Sequence, residues 1–193
     1  MSNLILKPTK HNPRGIPEAP FIEKVEDYVK SPQEFDQVFQ AFQERLQQYK
    51  FMMESKENTV KDLKRRVPGL KDNLKICQML KSKNQNDDDD DDDEDFIEVN
   101  YKLNETLYTK AVIKKENMDK VALFLGADIM MEYSIDEAIE LLKEKIKDSK
   151  KNLEIAQEDC EFLRENITTM EVNTARLYNW DVERRQKERK ESD

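Results

Sequence analysis

Two stretches of this chain repeat apolar side chains at alternating steps of three and four residues, thirteen positions each. The first runs Phe35, Phe39, Phe42, Leu46, Tyr49, Met53, Lys56, Val60, Leu63, Val67, Leu70, Leu74, Cys77. The second runs Ile135, Ile139, Leu142, Ile146, Ser149, Leu153, Ala156, Cys160, Leu163, Ile167, Met170, Thr174, Leu177. A period of 3.5 residues gathers these side chains into one narrow stripe per helix, and only another helix can cover such a stripe. Two equal stripes predict a long antiparallel two-helix coiled coil with seams about 63 Å long. Facing residues then have numbers that sum to about 212, so Cys77 faces Ile135. Cys160 lies about 37 Å farther along, beyond the reach of a disulfide. Both cysteines read as buried reduced thiols acting as small apolar residues, which suits a reducing cytosol. Lys56 is the one charged seam residue and is expected to snorkel past Ala156.

Composition fits a rod better than a sphere. The 193 residues are 39% charged and 37% hydrophobic, poor for a central core but sufficient for a stripe. Three glycines and no GxxxxGK or GxGxxG leave no phosphate-cradling loop. One histidine, His11, and two cysteines make no metal-ligand set. Acids and bases abound, but on exposed helical faces without a concave site to shift their pKa values. No catalytic residue, metal or cofactor is expected. The net charge of −9 is local, because residues 87–95 carry nine acids (eight Asp and Glu94) and the remainder sums to zero. The neutral body argues against nucleic-acid binding. No apolar run approaches the ~20 residues of a membrane span, and no charged flank precedes an apolar run near Met1, so no signal peptide is expected.

The chain divides by pattern. Residues 1–30 hold Pro8, Pro13, Pro17 and Pro20 and read as a flexible N-terminal tail, with a short helix possible at 21–30. Residues 31–81 form the first coiled-coil helix. Ser31 and Glu34 flank Pro32 as a capping box, and Pro68-Gly69 is expected to kink the helix without ending it. Residues 82–95 are a disordered acidic linker. Residues 96–133 change period from 3.5 to 2 and read as four strands in two β-hairpins, turning at Asn104-Glu105-Thr106 and Gly126-Ala127. Residues 134–188 are the second helix, opened by a capping box of Ser134 and Glu137, and 189–193 a frayed C-terminal tail.

The fold class is mainly α with a small β part: the coiled coil is joined at one end by two hairpins. The second hairpin is apolar on both faces, with Val121, Leu123 and Leu125 on one and Ala122 and Phe124 on the other. Strands of that kind are covered on both sides, so pairing with other chains to close a sheet or barrel is expected. Ile97, Val99, Val121, Leu123, Leu125, Ile129 and Met131 are the candidate oligomer interface. The far end of the rod gathers Phe21, Ile22, Phe35, Val38, Phe39, Leu177 and Trp180. These exceed what a two-helix tip can bury and form a candidate binding surface.

At these residues the chain resembles the prefoldin family, in its eukaryotic α-type subunits. The resemblance is carried by RGIPEAPFIEKV (14–25), FQERLQQYKFMMESK (42–56), NETLYTKA (104–111), LGADIMMEYSIDEAIELL (125–142) and DCEFLRENITTMEVNTARLYNWDVERR (159–185). It implies a cytoplasmic heterohexamer in which this chain joins one other α-type and four β-type subunits, their strands forming an intersubunit β-barrel platform. It further implies capture of unfolded actin and tubulin and delivery to the cytosolic chaperonin, without ATP. The coiled coil alone also permits a structural tether or scaffold, which needs no sheet.

Overall fold

The computed structural model describes residues 11–85 and 96–192. Helix α1 is Phe35–Gln85 and helix α2 is Ile135–Ser192. Between them lie β1 (Phe96–Lys102), β2 (Tyr108–Lys114), β3 (Lys120–Gly126) and β4 (Ile129–Ser134). All 26 seam positions named above are buried or half-buried, so the 3.5-residue stripe is covered wherever it runs. α1 passes unbroken through Pro68. Proline removes the hydrogen bond to the carbonyl of residue 64. Both Pro68 and Lys64 are exposed, while Val67 is buried. The freed carbonyl therefore meets water, and the seam keeps its phase.

The chain forms two compact units, Met1–Asp62 with Leu153–Asp193 and Leu63–Asn152. In the first, α1 and α2 run antiparallel. Lys50 pairs with Glu171 and Lys56 with Asp159, both at 2.9 Å. Lys56 thus turns to a buried carboxylate rather than past Ala156. Phe42, Tyr49, Leu163, Met170 and Leu177 form the core, and Ile16, Ala19, Ile22, Val25 and Val29 complete it. Residues 11–30, expected as a flexible tail, are therefore packed where described. A turn closed by Asn12 and Ile16 and a 3-10 turn at Val25–Asp27 interrupt their extended course. Ser31 makes no side-chain cap; a 3-10 turn at Pro32–Glu34 leads into α1 instead.

In the second unit each hairpin is a separate two-stranded antiparallel sheet. β1 pairs Ile97 with Ile113, and β3 pairs Leu123 with Met131. A register shift between Phe124 and Gly126 makes a bulge before the second turn. That turn holds positive φ at Gly126 (100°), Ala127 (49°) and Asp128 (57°), the backbone hand that matches strand twist. The Ser134 box forms as expected. Glu137 accepts from Ser134 N–H and O–H at 3.2 and 2.8 Å, and its own N–H donates to Ser134 Oγ at 3.4 Å. Cys77 is buried in the second unit and Cys160 in the first, and both are free thiols. α1 continues through residues 82–85, beyond its expected end at 81. The acidic run 87–95 lies outside the described residues. α2 likewise continues to Ser192, through most of the expected tail.

Candidate functional site

The second unit offers a half-covered sheet. Alternation along each strand sends one set of side chains toward the helices. Ile97, Ile113, Val121, Leu123 and Tyr133 pack on a cluster of Cys77, Leu80, Met118, Ile135, Ala138, Ile139 and Leu142. The expectation that other chains cover both faces of the strands is therefore corrected for one face, which this chain's own helices cover. Ile97, Val99, Val121 and Leu123, read as interface residues, are half-buried on that inner side. Leu125, Ile129 and Met131 are exposed.

The outer face carries the larger surface. Phe124 is 62% exposed and Met130 65%, and the two stand opposite each other in the β3–β4 register. Val112, Tyr108 and Phe96 are exposed on the corresponding face of the first hairpin. Burying side chains of this size is worth about 1.5–3 kcal/mol each. An exposed apolar face of this kind is unfavourable in water. The β-strand period could have found these outward residues, since they alternate with the inward set.

The first unit is organised around a polar ladder on α2. Asp159, Asn166, Asn173 and Trp180 recur every seven residues beside the seam, so they share one stripe. The first three are buried polar groups. Each meets the N-terminal segment. Asp159 accepts from Asn12 Nδ2 at 2.9 Å, from the Arg14 guanidinium and from Lys56. The amide N–H of Ala19 donates to Asn166 Oδ1, and that of Ile22 to Asn173 Oδ1 at 3.0 Å. Asn173 Nδ2 returns a bond to the carbonyl of Pro20 at 2.6 Å. Trp180 Nε1 donates to Glu26 at 3.0 Å.

Electrostatics explains the tolerance of a buried Asp159. Burial pushes its pKa upward, but hydrogen bonds from Lys56 and Arg14 outweigh that and hold it below its ordinary value. The Arg14 pKa is raised in turn, chiefly by its bond to Asp159. Asn12 Oδ1 also accepts from the amides of Arg14 and Ile16 at 3.0 and 2.8 Å, closing a tight turn at Gly15, whose φ is +82°.

The structure redistributes the seven tip residues. Ile22, Phe35, Val38 and Leu177 are buried, because the N-terminal segment roofs the end of the helices. Phe39 and Trp180 are half-buried, and Phe21 is 54% exposed beneath the Arg176 guanidinium, 4.6 Å from the ring centre. Phe35 lies between Phe39 and Trp180, with ring centroids 5.5 and 6.3 Å away. Sequence reasoning missed Asp159, Asn166 and Asn173; their seven-residue spacing was the available signal. Among the described residues no helix is long and apolar enough to cross a membrane, and no three His, Cys, Asp or Glu side chains group to hold a metal.

Comparison with known proteins gives this geometry a family. Residues 49–180 match the model of the prefoldin subunit family. Prefoldin subunit 3 of Saccharomyces cerevisiae is 57% identical over 181 residues, spanning 92% of this chain and 89% of the relative. The human prefoldin subunit 3 is 40% identical over 176 residues, spanning 90% and 85%. Among solved structures, a filamentous prefoldin from Methanocaldococcus jannaschii aligns with a TM-score of 0.47 at 18% identity, covering 67% of this chain and 98% of that one. The chain belongs to the prefoldin family of chaperone subunits.

Proposed function

We propose that this chain is an α-type subunit of a cytoplasmic heterohexamer that captures unfolded actin and tubulin and delivers them to the cytosolic chaperonin without ATP. The observation that carries the assembly is the bare outer face of the hairpins around Phe124 and Met130. Its inner face is already satisfied by the chain's own helices, so strands of neighbouring subunits are the natural cover. Client contact is assigned to the helix tips, with Phe21, Phe39 and Trp180 at the surface and Ile22, Phe35, Val38 and Leu177 behind them. The buried unpaired thiols accord with a reducing compartment.

Native mass spectrometry of the tagged protein from its own cells tests this. The expected species contains six different subunits with this chain once. A homodimer without other small coiled-coil chains would replace the reading with a tether. Deleting residues 96–133 separates the two further: a tether keeps its self-association, whereas a prefoldin subunit leaves its complex. Suppression of actin aggregation by the purified complex tests the client assignment.

A further inference from the structure

Residues 16–29 are held in the first unit by buried apolar side chains and, from Pro17 to Ile22, by their backbone. Tyr49 Oη donates to the carbonyl of Pro17 at 2.9 Å, and Arg176 Nη1 to that of Ile22 at 2.6 Å. Together with the Asn166 and Asn173 bonds, five main-chain groups between Pro17 and Ile22 are read by side chains of α1 and α2. Any polypeptide can offer those groups. Pro17 and Pro20 supply only carbonyls, so their missing N–H groups are never required.

The match is periodic. From Ala19 to Ile22 the segment advances three residues while its partner advances seven, from Asn166 to Asn173. Three extended residues span about 9–10 Å and seven helical residues about 10.5 Å. The two rulers nearly coincide, so one asparagine per heptad meets every third peptide unit. The apolar side chains entering the cleft, Ile16, Ala19, Ile22 and Val25, follow the same step of three.

A second kind of contact bounds this stretch. At its start, Asn12 and Arg14 bind Asp159 through their side chains, which is specific to this sequence. At its end, the chain is tied covalently to α1. Residues 16–29 can therefore leave the cleft as a loop anchored at both ends, and loops of that length close at modest entropic cost.

We infer that this cleft is a binding site for extended polypeptide, read through its backbone and through a small or aliphatic side chain at every third residue, and that residues 16–29 occupy it as a displaceable stand-in for a client. This rests on the chaperone reading above. Covalent attachment gives the stand-in a high effective concentration. Folded proteins, which expose few extended segments, would not compete with it, whereas an unfolded chain offering many would. Displacement would also uncover Phe35, Val38 and Leu177. The segment lies outside the residues matched by the family model, whereas Asn166 and Asn173 lie within them.

The test uses the assembled complex and a fluorescein-labelled peptide with the sequence of residues 16–29. A complex whose subunit lacks residues 1–30 should bind the peptide saturably, and the intact complex at least about tenfold more weakly. Asn166→Ala with Asn173→Ala in the shortened subunit should abolish binding. Ile22→Asp in the full chain loosens only the occupant and should restore binding, which covers the case of a shortened subunit that fails to assemble. Denatured actin should then eject the peptide. No peptide binding by either the shortened or the Ile22→Asp complex overturns the inference. Actin capture without ejection also overturns it and leaves the chaperone reading standing. Failure of every complex to capture actin removes that reading, and this inference with it.

Discussion

Ile22 and Phe124 are both large apolar residues outside the helical seams, yet Ile22 is 0% exposed and Phe124 62%. The first unit supplies its own roof: an N-terminal segment whose side chains and backbone are both matched. The second unit supplies a floor beneath its hairpins and no roof. Hydrophobic content alone does not separate these outcomes. What separates them is polar matching. At the tip, buried asparagines satisfy the backbone of the covering segment, and such satisfaction is what burial of backbone requires. On the outer face of the hairpins the charged side chains pair within the chain, Glu98 with Lys110 and Lys120 with Glu132, whereas the apolar Phe124 and Met130 are left exposed.

The largest break in this contrast is Phe124→Asp with Met130→Asp. Two charges on the outer face should reduce incorporation into the complex by more than about 100-fold, as desolvating unpaired charges costs several kcal/mol. The helical circular dichroism should stay intact, since both side chains are mostly exposed and neither is a member of the inner cluster. Full incorporation by co-purification would show that this face is not the interface.

Asn173→Ala probes the other side of the comparison. It strands the Ile22 amide and the Pro20 carbonyl, with an expected loss of about 2–3 kcal/mol from unpaired buried groups. Hydrogen exchange at Ile22 should accelerate while exchange in β1–β4 stays as before. Uniform acceleration in both units would mean that the asparagine supports general stability rather than the segment.

Asp159 gives a pH signature. Its pKa is depressed in the folded state, so its contribution is present above the ordinary carboxylate value of about 3.9 and fades as pH falls through the lower, folded value. Denaturant midpoints of the wild type and Asp159→Asn should therefore differ at pH 7 and converge in acid. A constant difference across that range would assign the effect to packing. The smallest effect is expected at Ala127, which sits at φ 49°. Ala127→Gly should relieve left-handed strain and stabilise by up to about 1 kcal/mol, seen as a small rise in thermal midpoint.

The seams were legible because a 3.5-residue period has one structural solution, and every seam residue from Phe35 to Leu177 is at least half-covered. The strands were legible from the switch to period two, with boundaries shifted by a residue or so. The reciprocal cap at Ser134 followed from its spacing to Glu137. The order of residues 11–30 was not legible in the same way. Their apolar step of three belongs to neither helix nor strand, and three prolines suggested looseness. What orders them is Asp159, Asn166 and Asn173, more than 130 positions away in sequence. The Ser31 box failed because Pro32–Glu34 tightened into a 3-10 turn, which bonds Glu34 N–H to the Ser31 carbonyl rather than to its hydroxyl.

Each unit also holds one buried cysteine, Cys160 in the first and Cys77 in the second. Burial raises the pKa of both thiols, which leaves little thiolate to react while the units are closed. A thiol reagent must therefore wait for its unit to open, and the two labelling rates report two separate opening equilibria. The molecule carries its own pair of clocks: one for the unit roofed by the N-terminal segment, one for the unit that carries the hairpins.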